Sequence, residues 1–114
     1  LEAFALACNG PDIPTAVYSP SLLKSPDIVW IAAKQDDHII AGATAVRANV
    51  LNGINNVFAP TIPLKHQIIS AAVSAFPDLP ACTYAREDNI PPYLDLGFEI
   101  VGKLQVWLRP APDA

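Results

Sequence analysis

The chain is short of the residues that mark a disulfide framework, a metal site or a nucleic-acid interface. Its two cysteines, Cys8 and Cys82, stand too far apart for a zinc site, and a chain this apolar needs no disulfide, so both are expected as free thiols. A nucleophilic Cys82 with a histidine base is the functional alternative, but a buried, inert cysteine is the commoner case. The seven Lys and Arg residues are scattered and the net charge is −4, which argues against a nucleic-acid partner.

Long hydrophobic runs are also lacking. The apolar run Ile28 to Ala33 is far too short to cross a bilayer, and the apolar start at Leu1 lacks the basic flank of a signal peptide. We therefore expect a cytoplasmic protein without a membrane partner.

What the chain does have is apolar content and proline. Its 114 residues are 52% hydrophobic and 16% charged, which predicts a single domain over residues 1–114 with a real core. Twelve prolines divide it into short elements. Leu1 to Cys8 is compatible with one or two helical turns, and Pro11 to Pro26 is expected to be extended or turn-rich.

A hairpin is predicted between Asp27 and Arg47, where the apolar runs 28–33 and 39–46 flank the polar residues 34–38. The first run is apolar without alternation, which places the hairpin at the centre of a sheet. Asp36, Asp37 and His38 also resemble a metal or acid/base cluster. At the tip of a hairpin, however, polar residues collect because turns favour them.

The second half predicts alternating strands and helices. Asn49 to Asn56 indicates a loop or a second turn, followed by short strands at 57–59 and 81–85. Leu64 to Phe76 has an apolar residue every four positions, which predicts a helix with Pro63 in its first turn. A short helix is expected from Pro91 to Gly97, capped near Asn89 or Ile90, and a final strand from Phe98 to Arg109, kinked at Gly102. This order predicts an α+β fold with a mixed, mostly antiparallel central sheet flanked by helices.

The hexapeptide Tyr93-Leu94-Asp95-Leu96-Gly97-Phe98, within this order of elements, resembles the end of the last helix in GNAT-type acyl-CoA N-acyltransferases, which usually reads Tyr-x-x-x-Gly-Phe. The hairpin ending in Ile40-Ala41-Gly42, the strand-to-helix step Phe58-Ala59-Pro60 and a closing strand rich in Val, Trp and Leu agree with it. The resemblance covers residues 27–109 and leaves 1–26 as a short, proline-broken N-terminal segment. It implies the GNAT-like fold.

The resemblance implies acetyl-CoA as co-substrate. In this family the pantetheine arm lies between two splayed parallel strands, here resembling 57–59 and 81–85, and the pyrophosphate rests on the N-terminus of the next helix. The implied cofactor-binding residues are Val57, Phe58, Ala59, Lys65, His66 and Asn89, with Lys65 and His66 supplying charge. A solvated helix surface is the alternative for Lys65 and His66, and a helix cap is the alternative for Asn89.

Two parts of the family pattern are missing. The glycine-rich signature (Arg or Gln, two residues, Gly, one residue, Gly or Ala) has no counterpart, since no glycine lies between Gly53 and Gly97. Side chains of residues 60–68 would crowd a phosphate there. No general base stands out either. Its candidates are distant (Asp36, Asp37, His38, Glu87 and Asp88), and some family members use water instead.

Tyr93 resembles the family's catalytic acid, which protonates the departing thiolate, although a tyrosine here can equally pack its ring and bond its hydroxyl to the backbone. The resemblance thus implies an N-acyltransferase acting on a small-molecule or protein amine. The alternatives are a catalytically inactive GNAT-like domain that serves as an acyl-CoA-binding or protein-interaction module, and an unrelated α+β domain. Because only 26 proline-broken residues precede Asp27, one sheet face is expected to be uncovered, which predicts a homodimer.

Overall fold

A computed structural model describes residues 24–112 as an α+β domain. Four strands form one mixed sheet, accompanied by two α-helices. The elements are β1 (Ile28–Gln35), β2 (His38–Ala48), β3 (Leu51–Phe58), α1 (Ile62–Ala75), β4 (Ala81–Cys82) and α2 (Pro91–Asp95), with a 3₁₀ turn at Glu87–Asn89. The predicted α+β class with a mixed sheet is confirmed. The expectations for Leu1 to Cys8 and for nearly all of Pro11 to Pro26 fall outside the described residues.

The predicted hairpin is formed by β1 and β2, which pair antiparallel from Ile28 opposite Val46 to Gln35 opposite His38. Asp36 and Asp37 make the turn, with φ of 52° and 64°. Two successive residues at positive φ define the type I′ turn, whose twist matches that of the strands it joins. The acidic pair at the tip is therefore explained by the turn.

The placement of this hairpin at the sheet centre is wrong for β1. The strands are ordered β1-β2-β3-β4, so β1 lies at an edge of the sheet that residues 24–112 form. Val29, Ile31 and Ala33 pack on the core, whereas Ala32 is exposed. The run is continuous only because a small apolar residue occupies a solvent-facing position, so the run alone does not show that both faces are covered.

The loop or second turn predicted over Asn49 to Asn56 is confirmed as a turn but is much shorter than expected. The turn is confined to Asn49 and Val50, and β3 begins at Leu51 and pairs antiparallel with β2. Asn52 is fully buried, and its Nδ2 donates to the Ala72 carbonyl at 2.9 Å. Tertiary contacts of this kind override the weak strand propensity of asparagine.

Helix α1 matches the predicted helix within two residues at its start, and Phe76 is its C-cap as expected. It lies against the small residues of β2, which allow the close approach that the sequence suggested. The guanidinium of Arg47 stacks over the Phe76 ring at 4.7 Å. The core consists of Ala41, Ala43, Ala45, Ile54, Ile68, Ala72 and Phe76.

The final strand predicted over Phe98 to Arg109 does not form. These residues have no regular secondary structure, and those from Glu99 onward are exposed. The strand predicted at 81–85 shortens to Ala81–Cys82. A strand needs a partner for its backbone groups, and β4 offers a ladder of two residues. No helix within residues 24–112 has the length and apolar character needed to cross a membrane.

Candidate functional site

The candidate site lies where the parallel pair β3 and β4 separates. The two strands pair through Asn52 with Ala81 and through Gly53 with Cys82. Just beyond, the Thr83 hydroxyl donates to the Ile54 carbonyl at 2.8 Å. The ladder ends there, although β3 continues to Phe58. We call the space between residues 54–58 and residues 83–85 the β3–β4 notch.

A β-bulge in β3 accompanies this separation. Gly42 pairs with Phe58 and Thr44 with Asn55, so β3 has one residue more than β2 over the same interval. Asn56 within it has φ of 56°, and its Nδ2 donates to the Thr44 hydroxyl at 3.2 Å. Because a bulge bends the strand that contains it and increases the local twist, it accounts physically for the loss of pairing with β4.

Tyr93 on α2 lies next to Thr83, the residue at which the notch begins. Its side chain is buried, and its ring meets the Phe98 ring edge to face at a centroid distance of 5.4 Å. Gly97, at φ of 89°, turns the chain back so that the Phe98 N–H reaches the Tyr93 carbonyl at 3.0 Å. Burial raises the pKa of Tyr93, and a hydrogen bond with the Thr83 side chain opposes that shift. The phenol is therefore protonated at neutral pH and lies next to Thr83.

The N-terminus of α1, where the resemblance would put the pyrophosphate, offers few donors. The Thr61 hydroxyl caps the helix by accepting the Leu64 N–H at 3.3 Å. Pro63 has no N–H. Of the first three helical residues, only Ile62 retains an N–H that neither a cap nor a proline removes. An anion at this end of α1 would find one free backbone N–H among these residues, whereas a helix N-terminus normally offers several.

Two of the predicted cofactor-binding residues contact each other. Lys65 on α1 donates from Nζ to Asn89 Oδ1 at 3.2 Å, which ties α1 to the 3₁₀ turn. The predicted capping role of Asn89 is wrong, because Ile90 is the N-cap of α2 and no side chain caps that helix.

His66 makes a second link between α1 and the following segment. Its Nε2 lies 3.3 Å from Asp95 Oδ2 on α2, close enough for an ion pair when the imidazole is protonated. The two atoms are not aligned as a hydrogen bond. Lys65 and His66, which the sequence predicted at the phosphate site, therefore both contact side chains of the segment 86–95.

A cavity of about 880 Å³ opens beside β4 and is bordered by α2 and by residues 96–104. Tyr93, Thr83 and Cys82 line it, and of the predicted site residues, all of which are described, Tyr93 alone does so. Cys82 is an exposed free thiol, not the buried one expected. No histidine is among the lining residues, so the cavity does not supply the histidine base expected for a nucleophilic Cys82.

None of the predicted candidate bases lines the cavity that Tyr93 lines. Asp36, Asp37 and His38 lie at the hairpin tip, and Glu87 and Asp88 are exposed on the 3₁₀ turn. Within residues 24–112 no three His, Cys, Asp or Glu side chains cluster in a way that would hold a metal ion. Sequence reasoning missed Glu99, the carboxylate among the cavity's lining residues, which directly follows the Tyr-x-x-x-Gly-Phe hexapeptide.

Sequence reasoning also missed Thr83, Asp95 and Thr61. Thr61 had a recognisable signal, since a threonine two residues before a proline is typical of a capped helix start. The contacts of Thr83 and Asp95 are long-range, and the sequence has no local signal for them.

A scan against protein-family models gives no match to this chain, and searches of the curated proteins and of the solved structures return none. The resemblance to GNAT proteins therefore depends on the hexapeptide around Tyr93 and on the order of elements as far as α2, since the closing strand does not form. The parallel, separating pair β3 and β4 is the structural feature that bears on it.

Proposed function

We propose that the chain is a GNAT-type domain that transfers an acetyl or acyl group from acyl-CoA to an amine. The observation that carries this proposal is the parallel pair β3 and β4, whose ladder stops at Gly53 and Cys82 with the Tyr93 phenol beside the point of separation. The pantetheine arm would lie in the β3–β4 notch, along the main chain of Val57 and Ala59. Its thioester would then face Tyr93.

The chemistry requires one proton to move from the amine to the sulfur. The amine nitrogen attacks the thioester carbonyl, the C–S bond breaks, and the thiolate takes a proton from the Tyr93 hydroxyl. The proton that the amine loses restores the phenol, directly or through water and the Glu99 carboxylate, which lines the same cavity. Burial keeps the phenol protonated but makes it a weaker acid, so it donates as the negative charge on sulfur develops.

A second function is favoured by a specific observation at α1. The Thr61 cap, the missing N–H of Pro63 and the engagement of Lys65 by Asn89 leave little to hold a pyrophosphate. A domain with this loss would act as a non-catalytic acyl-CoA-binding or protein-interaction module. The two functions share the notch and differ in turnover.

Calorimetric titration with acetyl-CoA tests both. We expect a Kd of tens to hundreds of micromolar, or about 5–6 kcal/mol. Acetyl-pantetheine, which lacks the pyrophosphate and nucleotide, is the matched ligand and should bind within about tenfold of acetyl-CoA if the strands supply most of the affinity.

Turnover is then followed by chromatography of free CoA over a panel of amines, which avoids thiol reagents that would react with the protein's own cysteines. Binding with turnover supports acyl transfer, and binding without turnover supports an acyl-CoA-binding module. An absence of heat at millimolar acetyl-CoA overturns acyl transfer and leaves the protein-interaction module.

A further inference from the structure

Residues 103–109 have the pattern of a strand but no strand partner. Leu104, Val106 and Leu108 alternate with more polar residues, yet these three side chains are 62%, 84% and 86% exposed. Gly102 precedes the segment and Pro110, which cannot donate to a ladder, ends it. A half-apolar strand is stable only when one face is covered and its backbone is paired.

The edge of β4 offers what this segment lacks. β4 is the last strand of the sheet that residues 24–112 form, so its outer side faces away from β3. Ala81 and Cys82 of β4 line the cavity, and Leu51, Val73 and Ile90 contribute to its apolar lining. An exposed strand edge beside an apolar cavity is the arrangement that binds an added strand.

The segment does not fill its own chain's edge. Residues 98–104 of the same chain line the cavity, so Lys103 and Leu104 are the only residues of the segment that reach it, and residues 105–109 continue with exposed side chains. Each chain therefore has one donor segment and one acceptor edge. Reciprocal exchange between two copies uses both and closes at the dimer.

The distribution of charge favours a second copy of the chain as the partner of the β4 edge. Residues 103–109 include Lys103 and Arg109 and no acid, whereas residues 24–102 contain eight acids and five Lys or Arg residues. A cationic strand thus meets an acidic body, which favours the encounter of two copies.

We infer that residues 103–109 of one chain add as a strand to the β4 edge of a second copy, so that two chains exchange these segments in a two-fold dimer. The inference does not depend on acyl transfer, since it concerns the outer side of β4 and the C-terminal segment.

A mixed-disulfide experiment on the full chain tests it. One variant, Cys8→Ser, retains Cys82 on the acceptor edge. Two further variants lack both native cysteines, and one carries Gln105→Cys while the other carries Val106→Cys. These positions lie on opposite faces of the donor strand, so one of the two new thiols should lie beside Cys82. Cross-strand neighbours lie within disulfide distance. Mild oxidation of the mixtures should give a disulfide-linked pair of chains on a non-reducing gel.

The control partner lacks both native cysteines and carries Ser70→Cys, on the exposed side of α1. It should give background linkage only. Equal linkage by the control and by both donor variants would overturn the inference. A third outcome would also overturn it. If Cys82 is combined in one molecule with Gln105→Cys or Val106→Cys and a disulfide forms within single chains, the segment pairs with the β4 edge of its own chain.

A second experiment places an acidic side chain on one or the other face of the donor strand and measures the dimer Kd. Val106→Asp should weaken the dimer Kd at least about tenfold in sedimentation, while Gln105→Asp on the opposite face should change it by less than about threefold. Both side chains are exposed in the single chain, so neither change should unfold it. A wild-type protein that stays monomeric at high micromolar concentration, or equal effects of the two variants, would overturn the exchange.

Discussion

The Lys65 ammonium and the Asn89 side-chain carbonyl lie 3.2 Å apart, so two residues that the sequence assigned separately to a cofactor are partners of each other. The contact holds the 3₁₀ turn against the first turns of α1. It also means that a phosphate would have to compete with Asn89 for the Lys65 ammonium.

This competition predicts opposite effects for the two alanine variants. Lys65→Ala should weaken acetyl-CoA binding about three- to tenfold and flatten its dependence on salt, because a charge contact to phosphate is lost. Asn89→Ala should leave the affinity unchanged or raise it, because the ammonium is released. Calorimetry at two salt concentrations measures both, with Lys34→Ala on the hairpin as the control. A similar loss in both variants would mean that Asn89 itself contacts the ligand.

Restoring donors to the α1 N-terminus should strengthen binding. Thr61→Gly combined with Pro63→Ala frees the Leu64 N–H and adds one at position 63. We expect acetyl-CoA affinity to rise about tenfold, or about 1.4 kcal/mol, and acetyl-pantetheine affinity to stay the same. Replacing an N-cap threonine by glycine costs only a few tenths of a kcal/mol of stability. Unchanged acetyl-CoA affinity would show that this helix end does not face the phosphates.

Tyr93→Phe separates binding from chemistry. The phenyl ring keeps the edge-to-face contact with Phe98, so acetyl-CoA binding should persist, whereas turnover should fall at least about a hundredfold because the proton donor is gone. Tyr84→Phe is the matched control, since Tyr84 lines the same cavity but is largely exposed. Equal turnover in Tyr93→Phe and wild type would exclude the phenol as the acid.

The pKa of Tyr93 predicts how stability depends on alkaline pH. The pKa is raised above 10.0 in the folded protein by burial, so the folded state retains the phenolic proton where the unfolded state has lost it. The contribution is complete below about pH 10 and is lost as the pH rises through the folded-state pKa. Denaturant unfolding of wild type and Tyr93→Phe at successive pH values should show a steeper alkaline loss of stability in wild type. Parallel curves would contradict this.

Asn52 should respond differently to two replacements. Its Nδ2 is bonded to the Ala72 carbonyl, but its Oδ1 is buried without a hydrogen-bond partner. Asn52→Ala leaves a cavity and should reduce the free energy of unfolding by about 1–3 kcal/mol. Asn52→Leu fills the space and removes the unsatisfied oxygen, so it should cost less. Both replacements lose the Nδ2 hydrogen bond, so urea unfolding compares cavity with filling, and a larger cost for leucine would show that the site cannot hold the leucine side chain without strain.

Local signals predicted most of the fold. The hairpin, α1 and α2 were found because apolar spacing, proline at the first turn of α1 and a glycine after α2 act within a few residues of each other. Residues 98–109 were misassigned although their alternation is real. The alternation shows which side chains a strand would bury. Whether the strand forms depends on a neighbouring strand that pairs with its backbone, and residues 98–109 do not specify that neighbour.

The candidate site was less predictable. The hexapeptide found Tyr93 because the motif is contiguous in sequence. The contacts that decide the other residues join positions far apart in the chain, such as Lys65 with Asn89 and His66 with Asp95, and no spacing in a single sequence reveals them. Asn52 and Asn56 misled because the sequence does not show whether an asparagine serves a turn, a bulge or a buried contact.

The order of the sheet also bears on how the chain reaches this structure. β1, β2 and β3 are neighbours along the chain and in the sheet, so their ladders close short loops, and α1 follows directly onto their surface. β4 joins only after the chain has crossed α1, and it is held by two residue pairs. We therefore expect folding to begin in residues 28–76 and backbone amides to exchange most slowly with solvent there. We expect residues 81–112 to dock last and open first, which would give the walls of the notch and the edge of β4 the lowest local stability among the described residues.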